Sequence, residues 1–462
     1  MRAMSTAGRA VLFAGTTVLI SLCGLFLVGE QYLDGLAVGT ILAVMAVMLG
    51  ALTLLPAMLG FSGRAVDRLH VPGLLQSPAP GSERGFWWRW SRTVQRRPVL
   101  CGSAALLVLV ILAVPLFSMR LAFTDSGNDP TNLTTRQAYD LISNGFGPGF
   151  NGPLVVVAEL PSGGKDRAVV TVLDHRLAAV AGVALVQAPT YNRAGNAAVL
   201  IVYPTTAPQA APTAELVNRL RTVVVPQAAA GSDVKILVGG ETAAGIDASS
   251  YLSQRLPLVI ALVIVVSFLL LMAVFRSVAI PLKAAAMNLL SIGAAYGAIV
   301  AVYQWVWLSS LFGGAQPGPI DPWIPLMMFT ITFGLSMDYE VFLLSRVQEE
   351  WRRNGDNSGA VADSIASTGR VITAAAAIMV CVFGSFVIGD PLRILDVFGL
   401  GLAVAILVDA TLVRMVLVPS IMQLLGKANW WFPTWLDKAV PHLDVDSRPA
   451  LSAPLLSVDS DG

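Results

Sequence analysis

The sequence has little charge and almost no cysteine or histidine. Charged residues make up 13% of the 462 residues and hydrophobic residues 55%, whereas a soluble domain carries roughly 25% charged residues. This composition excludes an ordinary soluble globular protein and indicates a polytopic membrane protein. The formal net charge of +1 by itself argues neither for nor against nucleic acid, and we expect no nucleic-acid partner.

The three cysteines, Cys23, Cys101 and Cys381, all lie within apolar runs. We therefore expect them to be small core residues and not disulfide partners. The three histidines are far apart in the sequence and lack metal-ligand spacing. The chain also lacks the GxxxxGK(S/T) motif of a phosphate-binding loop. We expect no metal, no cofactor and no enzymatic activity.

Eight apolar runs are long enough to cross a hydrocarbon core about 30 Å thick. They lie at residues 10–28, 36–60, 99–118, 257–275, 279–303, 323–346, 370–389 and 397–424. The predicted fold class is a polytopic α-helical membrane protein with eight transmembrane helices. By the positive-inside rule, the arginine-rich connections place both termini on the cytoplasmic side of the plasma (inner) membrane.

The longest polar insertion, residues 119–256, is predicted to be an extracytoplasmic α+β domain. Its strand and helix patterns follow the order β-α-β-β-α-β, which is typical of a ferredoxin-like split βαβ unit. A helical stretch over 242–256 leads directly into the next span. The predicted organisation is two transmembrane helices at 1–60, a basic cytoplasmic linker at 61–98, a transmembrane helix at 99–118, the α+β domain at 119–256, five transmembrane helices at 257–424 and a mostly disordered cytoplasmic tail at 425–462.

The run from Trp323 to Arg346 differs from the other spans because it contains Asp338 and Glu340. A charge at the bilayer centre costs about 2.5–3.5 kcal/mol on insertion scales, so an intramembrane acid is a candidate functional residue. At helical spacing Asp338 shares a small, polar face with three other residues, Thr330, Gly334 and Ser345. We interpret this face as one that handles protons or ions. The alternative is a face that only packs helices together.

Further polar residues in the spans are candidate accessory residues. Glu340 is either a second titrating group or a residue whose carboxylate reaches the inner membrane surface. Asp409 is expected either to pair with Arg414 or another helix, or to take part in transport. Asn288 and Ser291 are expected to form hydrogen bonds between helices.

The first two spans resemble the last two at an offset of nearly 360 residues. The matching segments are 6–9 with 367–370, 26–30 with 386–390, 33–34 with 395–396, and 54–56 with 417–419. Internal repeats of this kind are typical of transporters. If the whole unit is duplicated, the counterpart of Asp338 would precede Met1. We therefore expect this chain to be the C-terminal part of a duplicated protein, with a complementary N-terminal half as its partner.

Five stretches resemble the MMPL family, a branch of the resistance–nodulation–division (RND) transporters. They are GLSMDYEVFLLSRVQEEW (334–351), NLLSIGAAYG (288–297), LGLAVAILVDATLVRMVLVPSIM (400–422), ANWWFPTWL (428–436) and GFGPGFNGPLVVV (145–157). The resemblance covers nearly the whole chain except its tail and matches the family from about the fifth transmembrane helix onward. It implies an incomplete RND-type fold in which the insertion is a porter domain.

The resemblance also implies proton-driven export of lipids or other hydrophobic molecules to the cell envelope. In the family, two Asp-Tyr pairs on facing helices form a proton relay, and one of them matches Asp338 and Tyr339. The other pair has no position in this chain. Phe342, one turn beyond Asp338, is expected either to pack against the relay or to be an ordinary core residue.

Two other functions stay open. Asp338 and Asp409 could be the two acids of an intramembrane aspartyl protease, although residues 334–338 lack the GxGD pattern that such enzymes carry. The chain could also be an accessory, regulatory or decayed transporter fragment that does not transport. Whether it forms a homo-oligomer is not indicated by the sequence.

Overall fold

The computed structural model describes four segments of the chain, residues 2–63, 86–307, 317–389 and 393–439. Within them, long apolar helices form a bundle, and one α+β unit is inserted between two of the helices. The predicted basic linker at 61–98 lies outside the described residues except at its two ends. The predicted tail at 425–462 lies outside them beyond residue 439.

The helices are numbered in chain order. They are α1 (Arg2–Cys23), α2 (Gln31–Ser62), α3 (Phe86–Arg96), α4 (Pro98–Ala113), α5 (Thr134–Phe146), α6 (Arg167–Ala178), α7 (Ala211–Arg219), α8 (Val225–Ala229), α9 (Glu241–Phe275), α10 (Ala279–Tyr303), α11 (Trp323–Asn354), α12 (Asn357–Gly389), α13 (Arg393–Val408), α14 (Val418–Leu425) and α15 (Thr434–Ala439). A 3-10 turn, Gly24–Val28, follows α1, and a second, Val114–Ser118, follows α4. A π-helical segment, Asp409–Leu417, joins α13 to α14.

Seven helical stretches among the described residues are long and apolar enough to span a membrane. They are Gln31–Ser62, Pro98–Ser118, Glu241–Phe275, Ala279–Tyr303, Trp323–Asn354, Asn357–Ile388 and Arg393–Trp430. The remaining predicted span, at 10–28, falls on α1 and its 3-10 turn, where the apolar part Gly15–Val28 is shorter. The eighth transmembrane helix therefore stays a prediction, although α1 packs along α11 within the bundle.

The α+β unit contains a five-stranded antiparallel sheet. Its strands are β1 (Leu154–Glu159), β2 (Val183–Val186), β3 (Thr190–Tyr191), β4 (Ala197–Pro204) and β5 (Lys235–Gly239), in the order β2-β4-β1-β5, with β3 also paired to β4. This order matches the predicted β-α-β-β-α-β arrangement, because each βαβ connection leaves room for one strand between its two strands. Alternate residues of β1, Leu154, Val156 and Ala158, are fully buried in the core of the unit.

The unit is joined to the bundle by a single uninterrupted helix. α9 runs from Glu241 to Phe275 with Pro257 inside it, as predicted for the stretch that leads out of the insertion. The two ends of α9 therefore belong to different parts of the molecule, the α+β unit and the helix bundle.

Helix α5 (Thr134–Phe146) was not predicted from the sequence, because it is amphipathic and lacks a long apolar run.

The prediction that the cysteines are core residues was wrong. Cys23 and Cys381 are exposed and Cys101 is half-buried, because the lipid-facing side of a membrane helix is as apolar as its packed side.

The first residues of the predicted tail pack against the bundle, and its mostly disordered character stays a prediction. Asn429 is buried and its carbonyl accepts a 2.6 Å hydrogen bond from Ser277, and the rings of Trp351 and Trp430 stack with centroids 4.8 Å apart.

Helices α4 and α10 approach each other closely at Gly297. A Cβ atom at this position would overlap the carbonyl oxygen of Leu112 and lie 3.1 Å from the Cα of Ala113. Small residues at such crossings let the backbones of two membrane helices come into contact.

We expect Gly297→Val to destabilise the bundle by about 1–3 kcal/mol, the usual cost of overpacking. Thermal unfolding of the purified protein in detergent measures this. Gly39→Val on α2 is the matched control, because a Cβ atom there meets nothing within 4 Å. Equal melting temperatures for the two variants would contradict the close contact.

Candidate functional site

Asp338 lies midway along α11 and faces α1. Thr17 Oγ1 donates a 2.8 Å hydrogen bond to Asp338 Oδ1. One turn earlier, a Cβ atom at Gly334 would lie 3.1 Å from the Cα of Val18, so the missing side chain lets α1 approach α11. Thr330 on the same face bonds only to its own helix, at 2.9 Å from the carbonyl of Met327. The small, polar face predicted from the sequence is therefore the surface on which α1 packs.

Arg414 is the central cation of the bundle. Its Nε donates a 2.8 Å hydrogen bond to Asp409 Oδ2, and a terminal nitrogen donates to the backbone carbonyl of Ser336 and, at 3.0 Å, to Ser336 Oγ. The guanidinium also lies 5.2 Å from the centroid of the Tyr339 ring. The side chains of Arg414 and Asp409 are only 2% and 6% exposed. The hydrogen bonds from Arg414 to Ser336 therefore tie α11 to the segment that follows α13.

The Asp409–Arg414 pair depends on the π-helical segment Asp409–Leu417. In an α-helix, side chains five residues apart point about 140° away from each other. The wider π-helical turn, with its i→i+5 hydrogen bonds, brings residues i and i+5 to nearly the same side. The sequence left open whether Asp409 pairs with Arg414 or with another helix. The π-helical geometry makes Arg414 its partner.

Two further hydrogen bonds join α10 to its neighbours. Ser336 Oγ donates to Asn288 Oδ1 at 2.7 Å, and Ser291 Oγ donates to the carbonyl of Ala405 at 3.3 Å. Both bonds connect different helices, as predicted for Asn288 and Ser291. A chain of polar contacts thus runs from Asn288 through Ser336 to Arg414 and Asp409.

Glu340 lies on the side of α11 opposite Asp338 and is only 5% exposed. With Asn288, Asp409 and Arg414 it lines a cavity of about 10 Å³. The alternative in which its carboxylate reaches the inner surface is therefore wrong, because α10 and the π-helical segment enclose it. Lys283 on α10 is also buried, and its Nζ lies 3.5 Å from Asn429 Oδ1. Two buried acids, Glu340 and Asp409, and two buried bases, Lys283 and Arg414, thus lie in this part of the bundle.

Tyr339 and Phe342 contribute less to this network. Among the described residues, the hydroxyl of Tyr339 bonds to the sulfur of Met379 on α12, at 3.6 Å, and not to a carboxylate. Phe342 is half-buried. The relay roles implied for Asp338 and Tyr339 stay predictions.

A second, larger cavity of about 920 Å³ lies between the α+β unit and the start of α13. Its polar lining includes Asp125, Asp129, Tyr139, Gln209 and Glu241, and its apolar lining Phe123, Ile142, Val155, Ile246 and Ile394. A cavity of this size and mixed character suits a ligand with an apolar and a polar part. We refer to it as the outer cavity.

Asp125 holds one wall of the outer cavity together. Its carboxylate accepts hydrogen bonds from the backbone nitrogen of Gly127 and from Gln209, both at 2.9 Å, and from the Tyr139 hydroxyl at 3.3 Å. Burial raises the pKa of the Asp125 carboxyl above its usual value of 3.8, although these hydrogen bonds act in the opposite direction. Because the folded protein binds this proton more tightly than the unfolded chain does, ionisation of Asp125 lowers stability as the pH rises through the interval above 3.8.

Sequence reasoning missed Thr17, Ser336, Lys283 and the outer cavity. A lysine close to the start of an apolar run was a signal that a buried acid lies nearby. No sequence signal pointed to Thr17, because a threonine in a spanning helix usually bonds to its own backbone. The outer cavity is built from segments far apart in the chain, so it has no local signature.

We expect Arg414→Gln to destabilise the protein by about 3–5 kcal/mol, because it leaves the Asp409 carboxylate buried without its cation. The double variant Asp409→Asn/Arg414→Gln should recover part of this loss. Unfolding in detergent measures both variants. Arg346→Gln is the control, since the Arg346–Glu349 pair is exposed and should contribute at most about 1 kcal/mol. A double variant no more stable than Arg414→Gln would argue against the pairing.

Known proteins resemble the chain over nearly its whole length. It is 35% identical over 455 residues to the membrane protein YdfJ of Bacillus subtilis, covering 97% of this chain and 60% of YdfJ. It is 36% identical over 451 residues to the mycolic acid-containing lipids exporter MmpL11 of Mycolicibacterium smegmatis, covering 96% of this chain and 47% of that protein. The chain thus spans about half to three-fifths of the length of these relatives.

A solved structure shows the same fold. The crystal structure of a heavy metal efflux pump matches with a TM-score of 0.50 at 12% identity, over 92% of this chain and 59% of that chain. At this identity the match concerns the fold alone. The model of the MMPL family matches residues 1–101 and 165–442. By this match and by its relatives, the chain belongs to the MMPL family of transporters.

Proposed function

We propose that the chain forms part of a proton-driven exporter that moves lipids or other hydrophobic molecules toward the cell envelope. The observation that carries this proposal is the Asp338 carboxylate, held by Thr17 inside the helix bundle of a chain from a transporter family. The proton motive force would act through this carboxylate. Tyr339 would take part in the relay once a carboxylate on another helix faces it.

The two acids near Arg414 have different surroundings, and this supports different roles. Asp409 forms a salt bridge with Arg414, which holds its side chain in place. Among the described residues, Asp338 has no salt-bridge partner and accepts its hydrogen bond from a neutral hydroxyl. A carboxylate in this setting can take up and release a proton without breaking a salt bridge. When Asp338 is protonated it gains a donor, and the hydrogen bond that it accepts from Thr17 loses the contribution of the negative charge.

A path of contacts leads from Asp338 to the outer cavity. Thr17 belongs to α1, and the carbonyl of Val28 just beyond α1 accepts a 2.8 Å hydrogen bond from the Tyr251 hydroxyl of α9. The first turn of α9 lines the outer cavity with Glu241 and Gly245, among others. A shift of α1 caused by protonation of Asp338 would therefore act on α9 and change the cavity. This is the coupling step that we propose.

The outer cavity is the proposed place for substrate. Its volume of about 920 Å³ is near the upper end of the usual range for small-molecule sites, about 300–1,000 Å³. Its apolar side chains suit an acyl chain, and its carboxylates and amides suit a polar headgroup. The relative from Mycolicibacterium smegmatis is named as an exporter of lipids that contain mycolic acid, and we propose a substrate of the same general class.

The proposal includes the membrane orientation predicted from the arginines. The α+β unit would be the extracytoplasmic porter domain, α1 the eighth transmembrane helix, and both termini cytoplasmic. The relatives are longer than this chain. Transport would therefore need a complementary set of helices, whether continuous with this chain or on another, to supply the second Asp-Tyr pair. A homo-oligomer stays a prediction.

Of the two other functions, the protease is disfavoured and the accessory subunit stays open. The chain belongs to a family of transporters, which sets the intramembrane protease aside, and Asp409 is bound to Arg414 and not placed as a second catalytic acid. An accessory subunit built on the same scaffold would keep the fold but lose the response to Asp338. The first experiment below separates that function from transport.

We expect Asp338→Asn to lower proton-coupled export at least tenfold, because the amide cannot exchange a proton. Export of a labelled mycolyl lipid from cells that also produce the complementary half measures this. Asp233→Asn is the control, since Asp233 is exposed in the α+β unit. Undiminished export by Asp338→Asn would contradict the relay. Wild-type protein that exports nothing yet binds the complementary half would favour the accessory function.

We expect Gly245→Leu to lower export or binding of the same lipid about tenfold without loss of stability. Gly245 lines the outer cavity, and a Cβ atom there meets only Phe123, at 3.9 Å, so the added side chain would fill the cavity. Gly145→Leu on α5 is the matched control, because its Cβ position is open and it is not among the residues that line the cavity. Unchanged lipid binding by Gly245→Leu would place the substrate elsewhere.

A further inference from the structure

Helix α3, Phe86–Arg96, is part of neither the proposed proton site nor the outer cavity. Its sequence, FWWRWSRTVQR, combines four aromatic residues with three arginines. It comes directly before α4, and the other end of α4 leads into the α+β unit. Helix α3 therefore lies at the end of the bundle opposite that unit, where a spanning helix meets the membrane surface.

One face of α3 is fixed against the bundle. Ser91, Val94 and Gln95 are buried on this face. The indole nitrogen of Trp88 donates to Asp363 Oδ1 on α12 at 3.2 Å. The indole nitrogen of Trp90 donates a 3.0 Å hydrogen bond to the backbone carbonyl of Met415. These contacts determine which face of α3 points away from the protein.

The outward half of α3 has an aromatic edge and a basic edge. Phe86 is 67% exposed and Trp90 38% exposed, and their rings stack with centroids 6.3 Å apart. Arg89 and Arg96, two turns apart, are exposed along the neighbouring edge, and Arg97 is exposed at the break before α4. Amphipathic helices that lie in a membrane interface have this arrangement, with aromatic rings toward the acyl chains and cations toward the headgroups.

The position of the hydrocarbon boundary agrees with this orientation. Val99 and Leu100, the next side chains after the Pro98 that begins α4, are exposed, so a lipid-facing surface starts within two residues of Arg97. On the protein-facing side, Asp363 of α12 contacts α3 through Trp88, and Arg92 donates to Ser358 at 3.2 Å.

We propose that the C-terminal end of α3 binds the phosphate headgroups of anionic phospholipids through Arg96 and Arg97. A guanidinium donates two parallel hydrogen bonds to phosphate oxygens, which suits it to this ligand. The acyl chains would lie along Phe86, Trp90 and the exposed start of α4. The apolar edge requires a partner with acyl chains, so the occupant is a lipid and not free phosphate. This inference does not depend on the proposed transport.

The test titrates the purified chain in neutral detergent with three short-chain probes and follows tryptophan fluorescence. Dihexanoyl phosphatidylglycerol carries both phosphate charge and acyl chains, dihexanoyl phosphatidylcholine has no net charge, and glycerol phosphate has no acyl chains. We expect phosphatidylglycerol to bind at least tenfold more tightly than either of the others. Each arginine removed should weaken its binding about fivefold, the effect of one cation near an anionic surface.

The decisive variant is R96Q/R97Q, which should bind phosphatidylglycerol no better than phosphatidylcholine. R96K/R97K keeps the charge but loses the paired guanidinium donors, so its binding should lie between those of the wild type and R96Q/R97Q, which separates loss of charge from loss of folding. The control removes two exposed cations of the α+β unit, Lys165 and Arg193, by substitution to Gln. It should bind like the wild type.

Three results would overturn the proposal. Equal binding of phosphatidylglycerol and phosphatidylcholine to the wild type would show that the site does not distinguish an anionic headgroup from one without net charge. Binding of glycerol phosphate as tight as that of phosphatidylglycerol would indicate a site for a soluble anion. An equal loss of binding in the α+β control would show that net charge, and not α3, is responsible.

Discussion

The buried guanidinium of Arg414 is the interaction on which the helix bundle depends. It binds the carboxylate of Asp409, the backbone and hydroxyl of Ser336 and the face of the Tyr339 ring. A buried ion costs several kcal/mol unless its partners are well placed, so these contacts allow little freedom. They fix the rotation of α11 about its axis, and that rotation decides what the other acids of the helix face.

With α11 held in this way, its two acids have opposite surroundings. Asp338 faces α1, which can come close because Gly334 has no side chain, and accepts its hydrogen bond from Thr17. Glu340 faces α10 and the π-helical segment, among Asn288, Arg414 and Asp409. One face of the helix thus carries a carboxylate bonded to a neutral hydroxyl, and the other lies against the buried ion pair of Asp409 and Arg414.

The contacts of α1 extend this local arrangement across the molecule. Through Val28 and Tyr251 the end of α1 is bonded to α9, and α9 is one continuous helix from the outer cavity into the bundle. At the other end of the bundle, α3 presents aromatic rings and arginines where α4 enters the hydrocarbon. On our proposal for α3, lipid contacts the chain in two ways, as the solvent of the spans and as a ligand of this helix.

The sequence by itself determined most of the architecture: the apolar runs, the order of strands in the insertion and the unusual acid at Asp338 all follow from local periodicity and composition. Only the tertiary structure decided which side chains meet. The pairing of Asp409 with Arg414 requires a π-helical turn, the burial of Glu340 requires α10 beside it, and the exposure of Cys23 depends on which side of α1 faces lipid. Such contacts join residues far apart in the chain or depend on helix rotation. In a membrane, moreover, the packed and the lipid-facing sides are equally apolar, so hydrophobicity cannot tell them apart.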